Sequence, residues 1–214
     1  MQKTMRQNRK QSNPGERSLY RAARVTWRLF LFEISMLTIK TQRLILIAAT
    51  AELARADIVD RSTFSKLLNA QVPSSWPIEV MKDAQEPFAQ ALERGATTPG
   101  WGMWYIISAM TLYGTVGCYG QPDADGVVTI GYGIVPEAEN KGIASEALAG
   151  LIGWLQATGK ARMLRATTFE FHHPSIRVLE KNGFKCIGVS TDDALASEAD
   201  RQGRGRLMIW ERGV

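Results

Sequence analysis

The run VVTIGYGIV at 127–135 constrains this chain more than any other stretch. Val128, Ile130, Tyr132 and Ile134 alternate onto one face, and Val127, Thr129, Gly131, Gly133 and Val135 onto the other, which is the period of a strand. Pro136 ends it, because proline cannot continue a hydrogen-bonded ladder. From Gly142 the period changes. Ala144, Leu148, Leu151, Ile152 and Leu155 fall on one helical stripe that Gly159 closes. ARMLRATTFEF at 161–171 reads as a second strand. A strand, a helix and a strand in succession require a parallel crossover within one sheet.

The rest of the chain is mostly antiparallel in its signals. LTIKTQRLILIAA from residue 37 reads as a strand, or a strand pair turning at Thr41–Gln42. Thr50 caps a helix with Glu52 in its first turn and apolar positions through Leu68. A second helix starts near Pro77, carries Ile78, Met81, Phe88, Ala91 and Leu92 on one stripe, and stops at Gly95. Pro87 is expected to kink or split it. WGMWYIIS (101–108) and TLYGTVGCYG (111–120) form a hairpin. SIRVLEKNGF is a short helix with Ser175 as its N-cap and Gly183 beyond its end. FKCIGVS (184–190) and GRLMIWER (205–212) are two last strands, separated by a long acidic loop over 191–204. No internal repeat is present. The paired glycines of 127–135 predict a bulge or a close approach. Gly150 and Gly153 each weaken their helix by up to ~1 kcal/mol, so a neighbouring surface is expected close to both.

With 214 residues the chain can enclose one sizeable core. Its net charge of +5 is unevenly spread. Residues 1–36 hold eight basic side chains against Glu16 and Glu33, a net of +6, which leaves the remaining residues at −1. A basic body would point to a nucleic-acid face, and this body is not basic. The basic segment 1–36 is open to three readings: a disordered or partly helical leader, an amphipathic helix that docks on a partner or membrane, or residues upstream of a natural start at Met36. Its longest apolar run, LFLF at 29–32, is far short of the ~20 residues of a membrane span. It also lacks the plan of a secretory signal. Two cysteines, Cys118 and Cys186, make no disulfide framework and fit a reducing, cytoplasmic setting.

The turn ENKGIASEA at 139–147 leads from the strand into the helix. The N–H groups from Lys141 to Ser145 are the unpaired donors of a helix N-terminus, and Lys141 adds charge, which together could cradle a phosphate. Taken alone, it reads more readily as a plain connection eased by Gly142.

VPEAENKGIASEAL (135–148) and HHPSIRVLEKNGF (172–184) together resemble the GNAT (Gcn5-related N-acetyltransferase) superfamily, and within it the branch of ribosomal-protein N-terminal-alanine acetyltransferases. TQRLILIAAT at 41–50 matches the same branch, so the resemblance runs over 37–214. It implies an α/β (α+β) fold with a mixed, mostly antiparallel central sheet, one parallel β-α-β crossover and helices on both faces. It also implies acetyl-CoA as donor and an amine as acceptor; no metal is expected. The family's pyrophosphate segment, Gln/Arg-x-x-Gly-x-Gly/Ala, corresponds to Glu139-Asn140-Lys141-Gly142-Ile143-Ala144. Glu139 replaces the usual Gln or Arg and is expected to face solvent. Asn140 stands where the branch often has a further glycine.

The resemblance also implies the site. Lys141, Gly142, Ile143, Ala144 and Ser145 hold the pyrophosphate. Backbone N–H groups near Ile134 and Val135 receive the thioester oxygen. His172 takes the place of an asparagine that contacts the pantetheine arm. The family's tyrosine on the last short helix is missing, because Val178 and Leu179 occupy that region. Ser175 is then the remaining hydroxyl for the leaving thiolate, unless it serves only as a cap. The branch's glutamate base is replaced by Thr129, which leaves Glu137, Tyr132 or a water chain. His172 and His173 point to opposite sides and make a poor chelating pair. Trp76, Trp101 and Trp104 either cover the acceptor or anchor the core.

The function expected is direct transfer of acetyl from acetyl-CoA to a primary amine, on a protein N-terminus or a small molecule. The partners expected are that acceptor, which a ribosomal or other protein could supply, and a second copy of the chain in a homodimer. Two other readings stay open: a non-catalytic acyl-CoA-binding sensor, and a ribosome- or nucleic-acid-associated protein tethered by its basic segment.

Overall fold

The strand signals of the chain assemble into one sheet in the computed structural model, which describes residues 36–190 and 205–214. The basic segment 1–35 and the acidic stretch 191–204 lie outside the described residues. β1 (Thr38–Lys40) and β2 (Ile45–Ala48) turn at Thr41–Gln42 and pair antiparallel. β3 (Met103–Ser108) and β4 (Thr111–Cys118) form the expected hairpin, its two-residue turn made by Ala109 and Met110 with φ of 46° and 57°. Positive φ at both central residues is what a primed hairpin turn needs, here met without glycine. β5 (Val127–Ile134), β6 (Met163–Phe169), β7 (Lys185–Val189) and β8 (Leu207–Gly213) complete an eight-stranded sheet ordered β1-β2-β3-β4-β5-β6-β8-β7. Among its pairings only β5 with β6 is parallel. That pair is the crossover that the change of period demands.

Helices cover both faces. α1 (Ala51–Val59), α2 (Arg61–Leu68) and α3 (Lys82–Glu93) lie on the face that carries Tyr105, whose ring meets Phe64 edge-on at 5.0 Å. α4 (Ile143–Thr158) and α5 (His173–Lys181) cover the other face. There Trp104, Ile106, Val116 and Ile130 pack against Leu148, Leu151 and Leu155. Neighbouring residues of one strand point to opposite faces, so Trp104 and Tyr105 belong to different layers.

Several local expectations are corrected. The helix that starts at Thr50 does not run on to Leu68. Asp60 breaks it with φ −150° and ψ 92°, and its side chain accepts from the N–H groups of Ser62 and Thr63 to start α2. An aspartate offering its carboxylate to a first turn competes well with helix continuation. Pro87 lies inside α3 without ending it. β5 carries no bulge, since its pairing with β4 is regular from Cys118–Ile130 to Gly114–Ile134. The approach at Gly131 is made by a side chain: a Cβ there would stand 3.0 Å from the Tyr119 ring. Close packing holds at Gly150, where a Cβ would meet Thr41 Cγ2 at 2.9 Å, and fails at Gly153, where nothing lies within 4 Å.

Candidate active site

β5 is the strand on which the site is built. It pairs with β6 only from Val127–Met163 to Thr129–Arg165, and beyond Thr129 the two strands part. Tyr119 N–H donates to the Thr129 carbonyl and Val135 N–H to the Tyr113 carbonyl. Backbone amides alternate in direction along a strand, so the odd-numbered residues of β5 face β4. The amides of Tyr132 and Ile134 therefore face the gap left by β6. Ile134 N–H thus points away from β4, past the end of the β5–β6 pairing. Val135, expected with Ile134 to receive the thioester oxygen, is excluded. Its N–H is taken by Tyr113 and the residue is only 1 % exposed.

On the α4–α5 face, a cleft of about 310 Å³ runs from the end of β5 along both helices. It brings together Tyr132, Ile134, Gly142, Ile143, Ala144, Ser145, His172 and Ser175. The turn into α4 is set by two left-handed residues, Asn140 with φ 58° and Gly142 with φ 75°. Asparagine tolerates that region better than most residues, which accounts for its place at a position suited to glycine. Gly142 is the N-cap of α4 and supplies no side chain, so the first-turn N–H groups have no side-chain cap and open onto the cleft. Glu139 lies on the cleft rim and is exposed. Lys141 does not line the cleft, because its Nζ donates to the Glu137 carbonyl. Two cations that the sequence reading passed over line it instead, Arg177 and Lys181. Their signal was present. Pro174, Arg177, Val178 and Lys181 follow the i, i+3, i+4, i+7 spacing of one helix face.

The turn is tied to β1–β2 from behind. Glu146, in the first turn of α4, accepts from Thr41 Oγ1 at 2.6 Å, Arg43 N at 2.8 Å and Arg43 Nε at 2.6 Å. Arg43 Nη1 also donates to the Lys141 carbonyl at 3.1 Å. Burial by itself would raise the Glu146 carboxyl, and these hydrogen bonds outweigh it and hold the group below its ordinary value.

At the gap, Tyr132 Oη lies 2.8 Å from Ser175 Oγ and donates to the Ser175 carbonyl at 3.0 Å. Burial pushes the Tyr132 phenol up to about 12, against the opposing hydrogen bond with Ser175. It therefore stays protonated near neutrality and can give a proton but cannot take one, which removes it as a base. Ser175 is not the cap of α5. His172 holds that position and Ser175 N–H donates to the His172 carbonyl. The Pro174 ring suits the first turn, so the helix starts earlier than the serine signalled. His172 lines the cleft, with its Nδ1 3.4 Å from Thr168 Oγ1.

Glu137 lies outside the cleft. Its own backbone N–H and the Ser75 hydroxyl, 2.7 Å away, hold its carboxyl low, so it is a weak base in the wrong place. No cluster able to hold a metal occurs among the described residues. Both cysteines are free, and burial pushes the Cys118 thiol up to about 12, far from a nucleophilic thiolate. No described helix is long and apolar enough to cross a membrane.

A second cavity of about 450 Å³ opens on the opposite face, between α3 and the strands β4 and β5. Of the three tryptophans, Trp101 lines it. Trp76 is buried with its Nε1 on Asp57 at 2.6 Å, and Trp104 donates to the Gly100 carbonyl. A narrower space in the gap, edged by Thr129, Gly131, Tyr132, Ala166, Thr167 and Ser175, adjoins both clefts. Tyr132 borders all three. The three spaces thus meet around Tyr132, where β5 and β6 part.

Residues 43–185 match the sequence profile of the acetyltransferase (GNAT) domain. An uncharacterized N-acetyltransferase of Bacillus subtilis (strain 168), YjdG, is 27% identical over 121 residues, which is 56% of this chain and 72% of that protein. Among solved structures, RimL, a ribosomal L7/L12 alpha-N-protein acetyltransferase, superposes with a TM-score of 0.57 at 17% identity, over 84% of this chain and 95% of its own. The microcin C7 self-immunity acetyltransferase MccE, solved with acetyl-CoA and AMP, gives 0.56 at 15% identity, over 81% and 94%. A putative ribosomal-protein-serine acetyltransferase from Vibrio cholerae gives 0.56 at 20% identity, over 83% and 98%. At these identities the solved structures support the fold.

Proposed function

The chain belongs to the GNAT acetyltransferase family, and from that premise we propose that it acetylates a primary amine by direct attack, with acetyl-CoA in the α4–α5 cleft and the acceptor in the cavity across the sheet. The observation that carries this reading is the β5–β6 gap. It joins two cavities on opposite faces, and the amides of Tyr132 and Ile134 and one hydroxyl pair face it.

The cleft fits a nucleotide-bearing thioester by its donor set. Uncapped N–H groups of the α4 first turn and the cations Arg177 and Lys181 suit phosphates, and the apolar edges of Ile134, Ile143 and Val178 suit a pantetheine arm. Glu139 opposes that set from the rim, so the two α5 cations carry more of the hold. When bound, acetyl-CoA supplies an activated acyl carbon. Ile134 N–H is placed to donate to an acyl oxygen in the gap as negative charge grows on it. The Tyr132–Ser175 pair holds a proton beside the same opening and can release it to a departing sulfur. With Tyr132 donating to the Ser175 carbonyl, Ser175 Oγ–H donates to Tyr132 Oη; when Tyr132 turns to Ser175 Oγ, the serine hydroxyl is free to point into the cleft. Neither the described acceptor cavity nor the gap is lined by a carboxylate or a histidine. The acceptor therefore loses its own proton to water. The two free thiols, Cys118 and Cys186, are compatible with a cytoplasmic enzyme.

The test is calorimetry with acetyl-CoA, followed by release of free CoA in the presence of an amine and peptide panel and mass analysis of the acetylated product. Micromolar binding with amine-dependent release is the expected result. Absence of binding up to about 1 mM, a free energy weaker than about 4 kcal/mol, would sink the reading. Binding without release under every amine would favour a sensor.

A further inference from the structure

Resting on that reading of the active site, we infer that the acceptor is an amine carried on a bulky, uncharged apolar group the size of an aromatic side chain. The group lies in the cavity between α3 and the β4–β5 floor, and its nitrogen enters the β5–β6 gap.

Among the described residues, the lining of this cavity contains no Asp, Glu, Lys, Arg or His. A second charge on the acceptor would lose its hydration there with nothing to replace it, which is strongly unfavourable. The floor is flat, because Gly117, Gly131 and Gly133 all turn toward α3 on the same face of β4 and β5. Side chains cannot simply be added to it. A Cβ on Gly117 would stand 2.4 Å from the Gly102 carbonyl oxygen, and one on Gly102 would stand 2.5 Å from the Phe88 ring. Phe88 and Met81 from the α3 side form the wall over this floor. The hydroxyl of Thr115 is already committed to Met81 Sδ at 3.1 Å, and the remaining polar side chains of the lining, Gln85, Thr97, Tyr119 and Tyr132, are all uncharged. A slot with a flat glycine floor and a ring for a wall suits a planar apolar group. Its volume, about 450 Å³, lies in the range of sites that enclose a small molecule.

The neck is set by Tyr119. Its ring lies against Gly131, it is 79 % exposed, and it borders both the cavity and the gap. A slender primary amine passes such a neck more easily than a branched one. Apolar surroundings also favour the neutral, nucleophilic form of the amine. That offsets the absence of a carboxylate base.

The experiment compares CoA release with 2-phenylethylamine, ethanolamine and spermidine on the full chain, with acetyl-CoA affinity measured alongside. The expected result is a kcat/KM for 2-phenylethylamine at least about tenfold above the other two, the scale on which an apolar pocket discriminates. Ala84→Glu places a charge on an exposed position of α3 that lines the cavity. It is expected to raise KM for 2-phenylethylamine about tenfold or more and to leave the acetyl-CoA Kd unchanged. Equal or better use of spermidine or ethanolamine, or an Ala84→Glu enzyme with unaltered KM, overturns the apolar acceptor and leaves acetyl transfer standing. Tight acetyl-CoA binding with no turnover of any amine overturns acetyl transfer and the acceptor class together.

Discussion

Tyr132 Oη and Ser175 Oγ stand 2.8 Å apart, joining the middle of β5 to the first turn of α5 across the gap where β5 and β6 part. Tyr132→Phe removes the hydroxyl that touches both Ser175 oxygens. It is expected to lower kcat about a hundredfold, the scale of lost general-acid help, and to change the acetyl-CoA Kd less than about threefold. Folding stability should fall by only ~1 kcal/mol, one hydrogen bond. A kcat within twofold of the wild type would remove the pair from the chemistry.

The pH profile follows from the same residue. The Tyr132 phenol is raised to about 12, so the acid form persists well past pH 10. Glu137 is held low and lies outside the cleft, so it contributes no limb near neutrality. Measured kcat/KM should rise with pH as the acceptor amine loses its proton, and should show no alkaline decline up to about pH 10, the ordinary tyrosine value. A decline beginning near pH 9 would contradict a buried, protonated phenol.

Binding of acetyl-CoA should depend on α5 more than on the turn before α4. Arg177→Ala and Lys181→Ala are each expected to weaken acetyl-CoA by roughly fivefold to tenfold, with the loss shrinking as salt rises. Lys141→Ala should change it less than twofold, since Nζ is turned to the Glu137 carbonyl. Calorimetry at two salt concentrations checks the contrast, and the reverse ranking would refute it.

Two glycines of α4 should respond with opposite sign. Gly153→Ala meets open space and gains helix propensity, so thermal unfolding should move up by the equivalent of about 0.5–1 kcal/mol. Gly150→Ala presses on Thr41 Cγ2. Thr41 cannot yield freely, because its hydroxyl donates to Glu146 at 2.6 Å and accepts from Leu44 N–H at 3.0 Å. A net loss of about 1 kcal/mol is expected there, in the range of core overpacking. Equal shifts in Tm for the two variants would show that the β1–β2 turn is not seated on α4 as described.

Much of the fold could be read along the chain, and the exceptions share a cause. Alternation in 127–134, the helical stripe after Gly142 and the stop at Gly159 are properties of consecutive residues, and they appear where they were expected. Asp60 is an exception within reach of sequence, since an aspartate before Ser62 and Thr63 is itself a cap signal. Ser175 misled because α5 starts three residues earlier, with His172 at the N-cap and Pro174 in the first turn.

The sequence by itself determined that a strand, a glycine-started helix and a parallel strand would follow one another, with the turn at 139–147 leading into the helix. Local period and backbone sterics suffice for that. Tertiary structure decided what that frame presents. Whether Ile134 or Val135 offers its N–H to the gap depends on the register with β4, and a shift of one residue would exchange them. Tyr132 meets Ser175 across 43 positions of sequence, and Arg177 and Lys181 reach the cleft only because α5 packs beside α4. Such contacts are set by how elements dock, and no window of neighbouring residues contains them.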